Sequence, residues 1–216
     1  MPARTSESFV LRSWPYGEAD LIVSYLTRDM GKLRGAAKRA RRPKSSFGAG
    51  LERLSLVQMT YFERENRELT TLTSCELIRS PFGLQTNFET GVALDYIAEV
   101  TDELLPPHEP NERHFRLLLA VTEYLEGTAK ADPSATWAAL LYFTLWAVRL
   151  SGFLPALRAN AESLAIAQEM FEKPIRELSP RSWSRQTAAD LRHFLHRVIE
   201  ETIERRLRTA QMLESL

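Results

Sequence analysis

Seven cations stand within thirteen residues of the 216-residue chain: Lys32, Arg34, Lys38, Arg39, Arg41, Arg42 and Lys44, with no acid among them. Like charges at this density repel one another, so the run is either a solvated face or a surface built to meet an anion. A purely structural role would be costly without an anionic partner, and the second reading is favoured. Alternate residues of a strand point the same way and repeat every ~6.6 Å, which is close to the spacing of phosphates along an extended single strand. Lys32, Arg34 and Lys38 are therefore expected on one face of a strand, with Leu33, Gly35 and Ala37 turned to the interior. Arg39, Arg41, Arg42 and Lys44 continue into a loop whose freer backbone can wrap a phosphate chain. Such a groove tolerates any base sequence and weakens with salt. Trp14, Tyr16, Tyr25 and Phe47 are candidate stacking platforms, although a core position suits Tyr25 better.

Other chemistry is sparse. A single cysteine, Cys75, excludes an intrachain disulfide and a thiolate zinc cluster, and its place in a strand pattern suggests a small buried filler. His193, His196 and Glu200 share a helix face, but no fourth ligand is evident, so solvated helix surface is the expectation. Arg205, Arg206 and Arg208 either complement a helix dipole or make a secondary phosphate contact. No Ser/His/Asp constellation, phosphate-cradling glycine loop or paired carboxylates can be assembled. The expectation is a protein without catalytic residues, metal or cofactor.

The formal net charge is +0, from 28 Lys+Arg and 28 Asp+Glu, which taken alone argues against a nucleic-acid partner. It is a cancellation. Residues 1–53 hold 11 basic and 5 acidic side chains, a net of +6, and residues 81–130 hold 3 and 9, a net of −6. Glu99, Asp102 and Glu103 belong to the acidic block and could discourage nucleic acid from the wrong side. The first residues lack an apolar signal-peptide core, and the longest uncharged apolar stretch, 134–148, falls short of the ~20 residues a membrane span needs. A cytoplasmic protein with no membrane partner is expected.

The elements that must position the basic run change character partway along the chain. Segments 8–14, 20–27, 32–41, 53–62 and 68–78 read as strands, with Leu21, Val23 and Tyr25 alternating against Ser24. Pro15-Tyr16-Gly17 and Asp29-Met30-Gly31 suit tight reversals, and 63–67 reads as a polar hairpin tip. Five short strands in about 75 residues favour closure, which removes exposed edges. A three-strand meander followed by a longer link at 42–50 fits an OB-fold Greek-key barrel over residues 1–80.

From residue 84 the apolar period becomes 3.6. Leu94, Ile97, Ala98, Thr101 and Leu105 share a helix face stopped by Pro106-Pro107, and Asn111 caps a second helix carrying Phe115, Leu118 and Leu125. Asp132-Pro133 starts a third helix, apolar nearly all round and so central. One further helix is expected at 160–172, and a last one over 187–212. The predicted fold is α+β: a five-stranded barrel followed by an all-α domain over 81–216.

These residues also resemble a family. The segments Phe9-Val-Leu-Arg12, Tyr16-Gly-Glu-Ala-Asp20, Gly31-Lys-Leu-Arg34-Gly-Ala-Ala-Lys38-Arg-Ala-Arg-Arg42, Leu72-Thr-Ser-Cys-Glu-Leu-Ile78, Gly152-Phe-Leu-Pro155 and the tail from Arg205 to Leu213 together resemble the RecO family of bacterial recombination mediators and DNA-repair proteins, over essentially the whole chain. The resemblance implies binding of single- and double-stranded DNA, strand annealing and partnership with RecR. It also implies contact with the acidic C-terminal tail of single-strand-binding protein, indirect loading of RecA, nucleoid association and no catalytic turnover. The DNA-binding residues it implies are Lys32, Arg34, Lys38, Arg39, Arg41 and Arg42.

Two departures stand out. Many members carry a four-cysteine zinc knuckle after the Gly-x-x-Pro turn, whereas this chain runs Pro155-Ala-Leu-Arg-Ala-Asn160, so zinc is excluded and that subdomain looks deleted. Members tend to read Phe-Glu-Leu-Arg in the central helix, where this chain reads Phe143-Thr-Leu-Trp146. An internal ion pair is thus replaced by apolar packing, and Arg149 is left as the substitute candidate for the tail. Two other functions stay open at this point: an adaptor whose basic run meets an acidic protein, and an RNA-binding OB protein.

Overall fold

Two glycines in left-handed backbone, Gly17 at φ +63° and Gly31 at φ +75°, reverse the chain and set up the first three strands. The computed structural model describes residues 3–63, 68–129 and 131–215. Among these residues the chain forms β1 (Arg4–Tyr16), β2 (Asp20–Thr27), β3 (Gly31–Ala37), β4 (Leu56–Phe62) and β5 (Leu69–Arg79). The strands close into a barrel in the order β1-β2-β3-β5-β4. Every pairing is antiparallel except β3 with β5, the arrangement of an OB-fold. The long β1 makes closure possible, pairing with β4 through residues 4–9 and with β2 through residues 8–16. Of the hairpin tip expected at 63–67, residues 64–67 lie outside the described residues.

Val10, Val23, Tyr25, Leu33, Ala37, Val57, Met59, Tyr61 and Leu72 fill the barrel. Tyr25 and Tyr61 meet edge to face at 5.8 Å, and the Tyr25 hydroxyl is satisfied by Thr70 Oγ1 at 2.8 Å. Gly35 is required where β3 and β5 converge, because a Cβ there would lie 2.5 Å from Thr70 Oγ1 and 2.7 Å from a Leu72 methyl.

Two expectations for the barrel are corrected. Strand β3 ends at Ala37 rather than 41, and residues 38–42 curl into turns. Phe47, at 3% exposure, and Leu51 of the β3–β4 connection pack into the interior. Phe47 is therefore core, not a stacking platform, and Tyr25 is core as expected.

The described residues group into two compact units, 1–81 with 101–115 and 82–100 with 116–216. Within the first unit, residues 101–115 cover part of the outer barrel. The His108 amide donates to the Lys32 carbonyl at 2.9 Å, and a Cβ on Gly31 would lie 2.0 Å from the Glu109 carbonyl oxygen.

The helices are α1 (Phe88–Leu104), α2 (Glu112–Thr128), α3 (Ala135–Leu150), α4 (Ala161–Glu172), α5 (Ala189–Ile203) and α6 (Arg208–Ser215). Side-chain caps hold the starts of α2 and α4, where Asn111 accepts the His114 amide and Asn160 the Ser163 amide, and just ahead of α3 Asp132 accepts the Ser134 amide. In the second unit α3 is the buried helix, apolar on nearly every side. Thr144, in the place where a charged pair was expected to be lost, sits fully buried and donates to the Leu140 carbonyl at 2.7 Å.

The helix expected over 187–212 is in fact two. It breaks at Glu204, in left-handed backbone at φ 55°. The following turn is held by the Glu200 carboxylate, which accepts the Leu207 amide at 2.9 Å, and by Glu99, which accepts the amides of Arg208 and Thr209. No helix among the described residues is long and apolar enough to cross a membrane.

Candidate nucleic-acid interface

The basic run divides into three environments. Lys38, Arg39, Arg41, Arg42 and Lys44 are all exposed and sit on the turns that follow β3. These turns are tied to the neighbouring β1–β2 hairpin: the Arg39 amide donates to Asp20 Oδ1 at 2.7 Å and the Arg41 amide to the Ala19 carbonyl at 3.0 Å. The Arg42 amide closes the turn on the Arg39 carbonyl at 3.0 Å. Arg39 and Lys44 hold φ at 57° and 61°, backbone that L side chains adopt at a cost. Among the described residues, none of these five side chains is paired with a carboxylate. Five cations displayed on a fixed loop without a carboxylate partner, Arg41 donating to the Glu18 carbonyl at 3.4 Å, raise the local potential and favour an incoming polyanion.

Lys32 lies elsewhere. It is on the outer side of β3, as alternation requires, but residues of the 101–115 segment lie over it and leave it 7% exposed. Its ammonium donates to the Asp102 carbonyl and lies 3.9 Å from the Asp102 carboxylate. Burial lowers its pKa from the usual lysine value, an effect that the Asp102 carboxylate opposes. Lys32 is thus corrected from a surface cation to a buried one, held away from the others.

Arg34 is exposed on the same strand, with different company. Register places Arg12 of β1 opposite Ser24 of β2, and Ser24 opposite Arg34 of β3, so the three residues form one row. A bulge between Val10 and Arg12 makes this row possible. Without it Arg12, two residues beyond the core-facing Val10, would point inward. The guanidiniums of Arg12 and Arg34 both lie over the Trp14 ring, at 5.6 Å and 5.9 Å from its centre. Arg12 escaped sequence reasoning because the bulge leaves no residue signature. Trp14 is half-buried, and Tyr16 stands further along β1 at 61% exposure.

Arg149 lies near the end of α3 in the second unit, exposed, with its guanidinium 4.4 Å from the Phe171 ring centre and 5.0 Å from that of Trp146. The Trp146 indole N–H donates to the Met170 carbonyl at 3.0 Å and its ring meets Phe171 edge to face at 5.7 Å. Trp146 and Phe171 thus form a fixed aromatic backing for one exposed cation.

The remaining candidates resolve individually. No cluster of His, Cys, Asp or Glu among the described residues could hold a metal ion. His196 is buried rather than solvated, packed at a tilt against Tyr96 with ring centres 4.9 Å apart, and burial holds its pKa down at about 3. Glu200 is committed to the Leu207 amide and to Arg206 at 3.4 Å. The Cys75 thiol is half-buried, lies 3.3 Å from the Phe47 carbonyl and is pushed up to about 11 by burial, so it is a poor nucleophile.

A family profile described as Recombination protein O N terminal matches residues 1–81, and one described as Recombination protein O C terminal matches residues 85–165. The chain is 38% identical to the DNA repair protein RecO of Koribacter versatilis over 247 aligned positions, covering 99% of both chains. With only 216 residues on this side, at least 31 of those positions have no counterpart here. It is 35% identical over 152 residues to the DNA repair protein RecO of Anaeromyxobacter sp. strain K, and 33% identical over 151 residues to that of Thermodesulfovibrio yellowstonii. Each of these two alignments covers 70% of this chain and 58% of the relative, so the chain spans less than two thirds of their length.

Proposed function

Because the chain belongs to the RecO family of DNA repair proteins, we propose that it binds single- and double-stranded DNA on its barrel, anneals complementary strands and, with RecR, helps load RecA onto DNA coated by single-strand-binding protein. It acts in the cytoplasm, at the nucleoid, without catalytic turnover and without a metal. The observation that carries this reading is the loop after β3, where Lys38, Arg39, Arg41, Arg42 and Lys44 are exposed and without a carboxylate partner among the described residues.

The work such a loop can do is electrostatic. Phosphate contacts fix a strand without reading its sequence, and a strand held by its phosphates keeps its base edges free for a complement. Counterions released from the strand supply much of the affinity, which therefore falls steeply with salt. Arg149, an exposed cation backed by Phe171 and Trp146, is the candidate contact for the acidic tail of single-strand-binding protein. A carboxylate would meet the guanidinium there, with the two rings beside it.

The test is the double charge reversal Arg39→Glu with Arg41→Glu. Single-strand affinity is expected to drop by at least ~10-fold, and the slope of log affinity against log salt to flatten by about 2. Annealing should fall in parallel. If both activities survive at moderate salt in that variant, the loop is not the DNA site.

A further inference from the structure

The row formed by Arg12, Ser24 and Arg34 brings two guanidiniums onto one partly exposed indole. The backbones of β1 and β3 are separated by β2, about 10 Å across the row at ordinary strand spacing. Even so, both side chains reach Trp14, at 5.6 Å and 5.9 Å from its ring centre. Two like charges drawn to one ring repel each other, and among the described residues neither is compensated by a carboxylate. The acid nearest the middle of the row, Asp102, is already engaged: it accepts the Ser24 hydroxyl at 2.6 Å and faces Lys32.

The bulge after Val10 carries equal weight. Val10 faces the core opposite Tyr25, and an unbroken strand would send Arg12 and Trp14 inward as well. The extra residue, Leu11, is itself buried. Its insertion shifts the phase of β1 and turns an arginine and a tryptophan outward beside Arg34. The outward residues of this stretch are thus a flat aromatic face and two planar cations, with no apolar neighbour exposed between them. Those are the components that recognise a nucleotide: a ring for the base and guanidiniums for the flanking phosphates.

We propose that Arg12, Trp14 and Arg34 form a site for a single unstacked nucleotide, in which the two guanidiniums move off the indole to hold the phosphates on either side and the base stacks on the ring they covered. The site rests on the DNA-binding reading above and adds to it a preference for single strands. Bases in a duplex are paired and stacked, so they cannot offer a face to Trp14. The loop cations, by contrast, meet the phosphates of either form. One site therefore selects strandedness and the other supplies general affinity.

The experiment compares a labelled oligothymidylate with an abasic strand of equal length, both binding the full chain at moderate salt. The two probes carry the same phosphates and differ only in bases. Wild type is expected to prefer oligothymidylate by roughly 5- to 150-fold, the range of one base–aromatic stack. Trp14→Ala should abolish that preference while leaving abasic-strand and duplex binding unchanged, and Trp14→Phe should restore most of it. Arg39→Glu with Arg41→Glu should weaken both probes alike. Equal binding of the two probes by wild type overturns the nucleotide site alone. So does a Trp14→Ala variant that loses abasic and thymidylate binding together, which would make Trp14 structural. Failure of wild type to bind either probe overturns the DNA-binding reading, and this site with it.

Discussion

Lys32 brings a charge into a place from which water is largely excluded. Its side chain and that of Asp102 are 9% and 7% exposed, and the Ser24 hydroxyl bonds the same carboxylate. Removing one member of a buried pair leaves the other charge without a partner, which costs about 3–5 kcal/mol, whereas replacing both with apolar groups is often neutral or better. Lys32→Met is therefore expected to lower unfolding stability in urea by about that amount, and Lys32→Met with Asp102→Leu to recover most of it. Neither variant should change single-strand affinity, because the ammonium does not reach the surface where the other cations stand. A large loss of affinity in the double variant, with stability restored, would return Lys32 to the DNA site. Alternation along β3 was enough to put Lys32 and Arg34 on the outer side of the strand. It could not show that residues 102–108, seventy positions later, cover one and not the other. Arg12 was hidden for a related reason: its outward direction depends on a bulge, and Phe9-Val-Leu reads as any buried run.

At the scale of the element, the loop after β3 spends backbone energy to display its charge. Arg39 and Lys44 occupy left-handed φ, where glycine has no penalty. Each therefore carries roughly 1–2 kcal/mol of strain that a residue without Cβ would avoid, part of it offset by the greater freedom of glycine in the unfolded chain. Arg39→Gly and Lys44→Gly are expected to raise the urea midpoint while weakening single-strand binding several-fold. Arg39→Ala separates the two effects, since it loses the cation but keeps the Cβ: affinity should fall as in the glycine variant with no gain in stability. A glycine variant that binds as tightly as wild type would remove Arg39 from the interface. The elements themselves were legible wherever local signals suffice. The glycine turns at Gly17 and Gly31, the cap at Asn111, the Asp132-Pro133 start and the all-round apolar α3 gave the barrel, its strand count and most helices. The ends that moved depend on distant partners. Strand β3 stops at Ala37 because Asp20 and Ala19 capture the amides that follow it, and the last helix breaks because Glu99, more than a hundred residues earlier, caps its second half.

At the scale of the whole molecule, the neutral total hides two asymmetries, one of charge and one of protons. The +6 and −6 blocks cancel in the sum, so the proposed affinity for a polyanion rests on the exposed cations of the barrel and not on the net charge. The proton asymmetry is less visible: each of the two units buries one neutral histidine. Burial holds His114, in the first unit, at about 4. Burial, aided by the positive charge of Arg192, holds His196, in the second, at about 3. In the unfolded chain both take up a proton near the ordinary 6.5. Below that pH the unfolded state binds protons that the folded state does not, so stability falls as pH falls. The loss begins near 6.5 and ends only when the folded values are passed. Each histidine contributes up to about 1.4 kcal/mol per pH unit, and the two together about 2.7. Glu169, held at about 2 by hydrogen bonds from Ser179, starts to add to the loss at about pH 5.5, where its carboxyl in the unfolded chain begins to take up protons, so the range from about 6.5 to 5.5 reads mainly the histidines. Urea unfolding across that range should show the combined slope, and His196→Leu should halve it while preserving stability at neutral pH. An unchanged slope in that variant would mean that His196 is charged in the folded protein, and that the packing of α5 against Tyr96 is looser than the 4.9 Å ring contact requires.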